Sequence, residues 1–236
     1  MKQIVRIGLD IAKSVFQLHG VDSHGKPVCK KTLSRGEVLT FLTSLPSCLV
    51  GIEACAGSHY WAQELIKRGH DARLMAAQFV SPYRKSGKND ANDAAAICEA
   101  ASRPTMRFVP VKSIDQQARL MVHRARQGYV EARTACINRL RCLLSELGIV
   151  LPLKAATVRH EAGACLEELP GRANTVVGDL LTELHRLDER IAQYHQHILA
   201  IAREDERARQ LMRLSGLGPT TAPAILMMIG NGHEFR

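Results

Sequence analysis

The 236-residue sequence has no apolar run long enough to cross a membrane, no N-terminal charged, apolar and small-residue leader, no cysteine pair at CxxC spacing and no glycine-rich phosphate loop. The first two absences predict a cytoplasmic protein without membrane partners. The third removes the usual zinc-ligand and redox motifs, so the seven scattered cysteines (29, 48, 55, 98, 136, 142 and 165) read as reduced and mainly structural. The fourth counts against a sugar-kinase or actin-like ATPase, although those proteins also place an Asp after a first strand.

What is present is a 46% hydrophobic chain, enough for a sizeable core, carrying a net charge of +9. The charge is uneven. Residues 1–111 hold 15 basic and 9 acidic groups, residues 112–147 hold 7 and 3, and residues 148–236 hold 10 and 11. The excess therefore lies entirely in the first 147 residues. It fits a polyanionic partner, whose released counterions drive association, and equally fits a basic surface with no such role.

Ile4 to Leu9, the alternating Ser14 to Val21, and Pro27 to Leu33 after the Asp22-Ser23-His24-Gly25 turn predict three meandering strands. A helix over Arg35 to Leu45 stops at Pro46, and a fourth strand over Cys48 to Ile52 ends at Glu53. A helix capped by Ser58 and closed by Gly69 leads to a fifth strand, Ala72 to Met75. The order predicts an α/β fold with a ribonuclease H-like mixed sheet in which the first and fourth strands are neighbours.

In that arrangement Asp10 and Glu53 would stand side by side at strand ends. Asp90 and Asp93, three apart, would share one face of a helix running to about Ala101. Four carboxylates in one place repel unless cations sit among them, which points to divalent metal and phosphodiester chemistry. Each acid alone has an ordinary explanation: a helix cap for Asp10 or Asp90, an exposed first turn for Asp93, a solvated loop for Glu53. Lys85 and Lys88, just before the pair, are candidate phosphate contacts.

Helical spacing continues from Val111 to Leu147, with Arg119, Arg124, Arg126 and Arg133 among its arginines. Arginine density of this kind suits phosphate binding, against the alternative of a solvated bundle face. Val177, Leu180, Leu184, Leu187, Ile191, Tyr194, Ile198 and Ile201 are separated alternately by three and four residues, a coiled-coil seam satisfied either by the earlier helix or by a second chain in a homo-oligomer. Around Gly216-Leu217-Gly218 the chain looks like the hairpin of a helix-hairpin-helix, with Gly216 and Gly218 as backbone contacts to phosphate, although Pro223 is expected to interrupt its second helix early. Cys55 and His59, four apart, read as packing rather than as a catalytic pair.

Three ordered motifs, Gly8-Leu9-Asp10-Ile11-Ala12-Lys13, Gly51-Ile52-Glu53-Ala54-Cys55 and Lys88-Asn89-Asp90-Ala91-Asn92-Asp93-Ala94, together with the Gly216 hairpin, resemble the DEDD transposases of bacterial insertion sequences. That family includes pilin-gene invertases and bridge-RNA-guided recombinases. The resemblance implies a RuvC-like domain over residues 1–110, a coiled-coil region over 111–208, and the start of a C-terminal transposase domain over 209–236. It implies Mg²⁺ bound by Asp10, Glu53, Asp90 and Asp93 as catalytic acids, DNA as partner, and a guide RNA in some members. It also implies a serine nucleophile deep in the C-terminal domain. Ser215 does not match that serine, so the expectation is a chain that binds metal and nucleic acid but lacks the nucleophilic half of the site. Alternatives are a RuvC-like structure-specific endonuclease using metal-activated water, and a non-catalytic nucleic-acid-binding oligomerisation module.

Overall fold

The computed structural model describes residues 3–84, 90–230 and 232, and the side chains of Asp90, Ala91 and Ala155 lie outside that description. The chain forms two compact units, the first reaching Ser113 and the second beginning at Ile114.

The first unit opens with strands β1 (Arg6–Asp10), β2 (Val15–Val21) and β3 (Pro27–Ser34). β1 and β2 pair antiparallel, as do β2 and β3. The tight β2–β3 turn is fixed by Asp22, whose Oδ1 accepts the amides of His24 (2.9 Å) and Lys26 (3.0 Å), and by Gly25 at φ +75°. Helix α1 (Glu37–Thr43), strand β4 (Leu49–Glu53), helix α2 (Ser58–Lys67) and strand β5 (Asp71–Met75) follow. β4 lies parallel to both β1 and β5. Next come the short α3 (Ala77–Val80), a 3₁₀ turn (Ser81–Tyr83), α4 (Asp90–Ala100) and β6 (Phe108–Val109). β6 was not expected; it pairs antiparallel with β5 and completes a mixed sheet in the order β3-β2-β1-β4-β5-β6.

Period-two alternation assigns the two faces of this sheet. Ile7, Leu9, Phe16, Leu18, Val50, Ile52 and Leu74 point to one side, where they are buried with Val38 and Leu42 of α1 and Trp61, Ala62 and Leu65 of α2. His70 belongs to this side as a satisfied core histidine: its Nε2 lies 2.9 Å from the Leu42 carbonyl and its Nδ1 3.4 Å from the Cys48 amide. On the other side Met75 packs with Ala96, Ile97, Ala100 and Ala101 of the α4 segment. The expected Ser58 cap is not formed. Gly57, at φ +85°, holds the cap position of α2, and the Ser58 hydroxyl donates back to the Cys55 carbonyl at 2.9 Å.

The second unit is helical: α5 (Ile114–Ser145), α6 (Ala155–Ala164), a 3₁₀ turn (Leu166–Glu168), α7 (Gly171–Glu204), α8 (Glu206–Leu211) and α9 (Thr221–Ile229). Gly148, at φ +79°, ends the turn after α5. α5 and α7 pair along their length and run antiparallel, since Cys136 bonds to the Leu180 carbonyl, Arg133 reaches Asp188, and the Tyr129 and Tyr194 rings lie 5.4 Å apart. The alternating apolar positions of α7 are thereby covered within the chain: Val177, Leu184 and Leu187 are buried with Cys136, Ile137, Leu140 and Leu144. Pro223 does not interrupt α9. It sits in the first turn, where no helical partner is required of its missing amide.

Candidate functional site

The site begins with two glycines. Gly8 of β1 and Gly51 of β4 are register partners, both directed to the face that carries α4. A Cβ on Gly8 would overlap the Ala94 carbonyl and the Cys98 amide, and one on Gly51 would lie 2.7 Å from the Ala101 Cβ. The paired glycines thus let the α4 segment rest almost backbone-to-backbone on the sheet. Small residues on the helix, Ala94, Cys98 and Ala101, complete the close approach, and all three are buried.

Two residues beyond each glycine, on the same face, come Asp10 and Glu53. Leu9 pairs with Ile52, so the next step of this parallel register sets the two acids at neighbouring strand ends, roughly 5 Å apart at the backbone. Both bear on the Cys55 thiol. Burial, then the Glu53 carboxylate, then that of Asp10 push this thiol above its ordinary pKa.

Asp93 enters from α4, one residue before the Ala94 carbonyl that touches Gly8. A single guanidinium joins it to the strand: Arg84 Nη2 lies 2.8 Å from Glu53 Oε2, and Arg84 Nε lies 3.0 Å from Asp93 Oδ1. Glu53 is the most enclosed of the three, its side chain 20% exposed, against 30% for Asp93 and 40% for Arg84. Asp90 occupies the first turn of the same helix, one turn before Asp93. Among the described residues, which do not include the Asp90 side chain, no three His, Cys, Asp or Glu side chains meet as a ready metal-ligand group.

The other sequence candidates are dispersed. Lys85 and Lys88 lie outside the described residues. Arg119 pairs with Asp115 at 2.8 Å, and Arg133 reaches Asp188 at 3.2 Å, an acid that also holds Arg159. Arg124 is exposed, whereas the Arg126 Nε is buried without a hydrogen-bond partner among the described residues. Gly216, at φ +88°, and Gly218 are exposed in the turn before α9, with open space where either Cβ would be. Cys55 and His59 serve separate contacts, since His59 Nδ1 accepts the Lys112 amide at 3.2 Å. Arg84 was not among the sequence candidates. Its only signal was a basic residue shortly before the Asp90 pair.

The DEDD transposase family of the IS110 type, described simply as transposase, matches residues 7–149, a span containing all four acids. This chain belongs to that family. It is 47% identical to a probable family 20 transposase of Pseudomonas aeruginosa over 98% of its own length and 70% of that protein's. It is 40% identical to the putative transposase y4pF/y4sB of Sinorhizobium fredii, covering all of this chain and 62% of the relative. A transposase for insertion sequence element IS1328 from Yersinia enterocolitica is 36% identical, with coverage of 100% and 71%. The IS110-type chain thus spans about two thirds of the length of these relatives. No helix among its described residues is long and apolar enough to cross a membrane.

Proposed function

We propose that the first unit is a RuvC-like, ribonuclease H-like domain that binds Mg²⁺ through Asp10, Glu53, Asp90 and Asp93 and acts on DNA phosphodiester bonds in transposition. The observation that carries this reading is the Arg84 bridge. One positive group spans carboxylates from β4 and α4 beside the end of β1, so these acids are arranged around a point that demands positive charge. Hard carboxylate oxygens from three elements suit Mg²⁺, which takes few protein ligands and keeps several waters.

Bound there, the metal would supply charge stabilisation for the oxygens that attack and leave phosphorus. The chain's own contribution is positional. β1 and β4 fix Asp10 and Glu53 by parallel pairing, the two glycines bring α4 down, and α4 carries Asp93 and Asp90 to the same edge. DNA is the partner that supports this chemistry in a transposase, and the basic excess of the first 147 residues favours it.

A supercoiled plasmid carrying the element's ends tests the proposal. Strand nicking, which needs no serine nucleophile, should require Mg²⁺ and disappear in Asp10→Ala and Asp93→Ala. Equal product in EDTA, or from Asp10→Ala, would overturn it.

A further inference from the structure

The face of the sheet that carries α4 is not fully covered by it. Beyond the helix, toward β3, lies a cavity of about 630 Å³, within the roughly 300–1,000 Å³ range of small-ligand sites. Arg6 of β1, His19 of β2 and Lys30 of β3 all line it. The register explains why: His19 pairs directly with Lys30 and also with Gly8, while Arg6 lies two residues before Gly8, so the three share one face. Asn92 and Tyr83 line the same cavity and are the immediate chain neighbours of Asp93 and Arg84. The cavity therefore adjoins the acidic edge.

Its charge is one-sided. Among the described residues neither Arg6 nor Lys30 has a carboxylate partner, and the buried Arg6 Nε has no hydrogen-bond partner. Among the described lining residues the one acid, Glu99, is taken up by Arg103. Small apolar groups, with Val21 and Ala95 among them, and the Tyr83 ring supply a surface that a base can rest on.

We infer that this cavity holds one nucleotide of a single-stranded nucleic acid, its phosphate on Arg6 and Lys30 and its base against the apolar wall beside Tyr83. The inference rests on the nucleic-acid reading above but not on the metal site.

Lys30 and Lys31 make the test specific. They are adjacent and exposed on β3 but point to opposite faces, Lys31 lying 4.3 Å over the Phe41 ring of α1. Binding of a short labelled oligothymidylate, and separately an oligouridylate, is followed by fluorescence anisotropy in EDTA across a salt series. Lys30→Gln should weaken binding about fourfold at 0.15 M salt and lower the slope of log affinity against log salt by ~0.7, the value for one single-strand phosphate contact. Lys31→Gln should leave both unchanged. Equal losses in the two variants, or no loss in Lys30→Gln, would overturn the site. Preference for one oligonucleotide assigns the strand as DNA or RNA. An abasic strand should bind more weakly than either, and equal binding of it would overturn the nucleotide assignment. Because the measurement excludes divalent metal, its failure leaves the Mg²⁺ proposal standing, and the reverse holds.

Discussion

Gly8 and Gly51 face each other across the parallel β1–β4 pair, and α4 occupies the volume that their side chains would fill. This pair sets the depth of the helix that carries two of the four acids. Gly8→Ala should cost more than Gly51→Ala, because at Gly8 the obstruction is helix backbone, whereas at Gly51 it is the Ala101 methyl and the flexible Met75 end. Overpacking of this kind costs about 1–3 kcal/mol, and Gly8→Ala should lie at or above the top of that range. Urea unfolding of both variants reads the difference.

Arg84 should behave as a cation in the place of a cation. In EDTA, Arg84→Gln leaves Glu53 and Asp93 to repel one another and should lower stability by about 0.5–1 kcal/mol, since the groups are partly exposed. Added Mg²⁺ should then raise the melting temperature of Arg84→Gln by more than it raises that of the wild type. An equal rise in both would separate the guanidinium from the metal site.

The Cys55 thiol gives a chemical readout of the two strand-end acids. Burial first, then Glu53 and Asp10, raise its pKa, so less thiolate is present at neutral pH. Alkylation at pH 7.5 should be slower than for a free thiol of ordinary pKa, and Glu53→Gln should speed it. Mass spectrometry of the Cys55 peptide checks both rates.

His123 on α5 predicts a pH effect in the second unit. Burial first, and then Arg126, lower its pKa below 6.5, so the fold favours the neutral ring. A depressed folded-state value means that this contribution is present above pH 6.5 and is lost as pH falls through the folded-state value, because the unfolded chain takes up the proton first. Denaturation midpoints at pH 7.5 and pH 5.5 should differ less in His123→Gln than in the wild type.

Much of the sheet is legible in the sequence because alternation over Val15–Val21 and the Asp22-Gly25 turn admit few arrangements, and the apolar β4 requires a buried neighbour. The three-and-four spacing of α7 marks an apolar seam, but that α5 covers it is seen only in tertiary contacts such as that of Cys136 with the Leu180 carbonyl. Other features depend on tertiary contacts that local patterns do not encode. Phe108–Val109 is too short for any periodicity, yet it forms an edge strand once β5 is in place. In a strand, Gly8 and Gly51 read as weak points until the helix resting on them is seen. Arg84 acquires its role from residues 31 positions before it and 9 after. Arg133 reads as a phosphate contact by composition, but α7 presents Asp188 to it.

Mg²⁺ titrated into the purified protein during thermal unfolding tests the central claim most directly. A metal bound only by the folded state should stabilise it by about 2.7 kcal/mol at a hundredfold excess over its dissociation constant. The account predicts a saturable rise in melting temperature with Mg²⁺ that is lost in Asp10→Asn and in Asp93→Asn. No rise in the wild type, or the same rise in both variants, would contradict it.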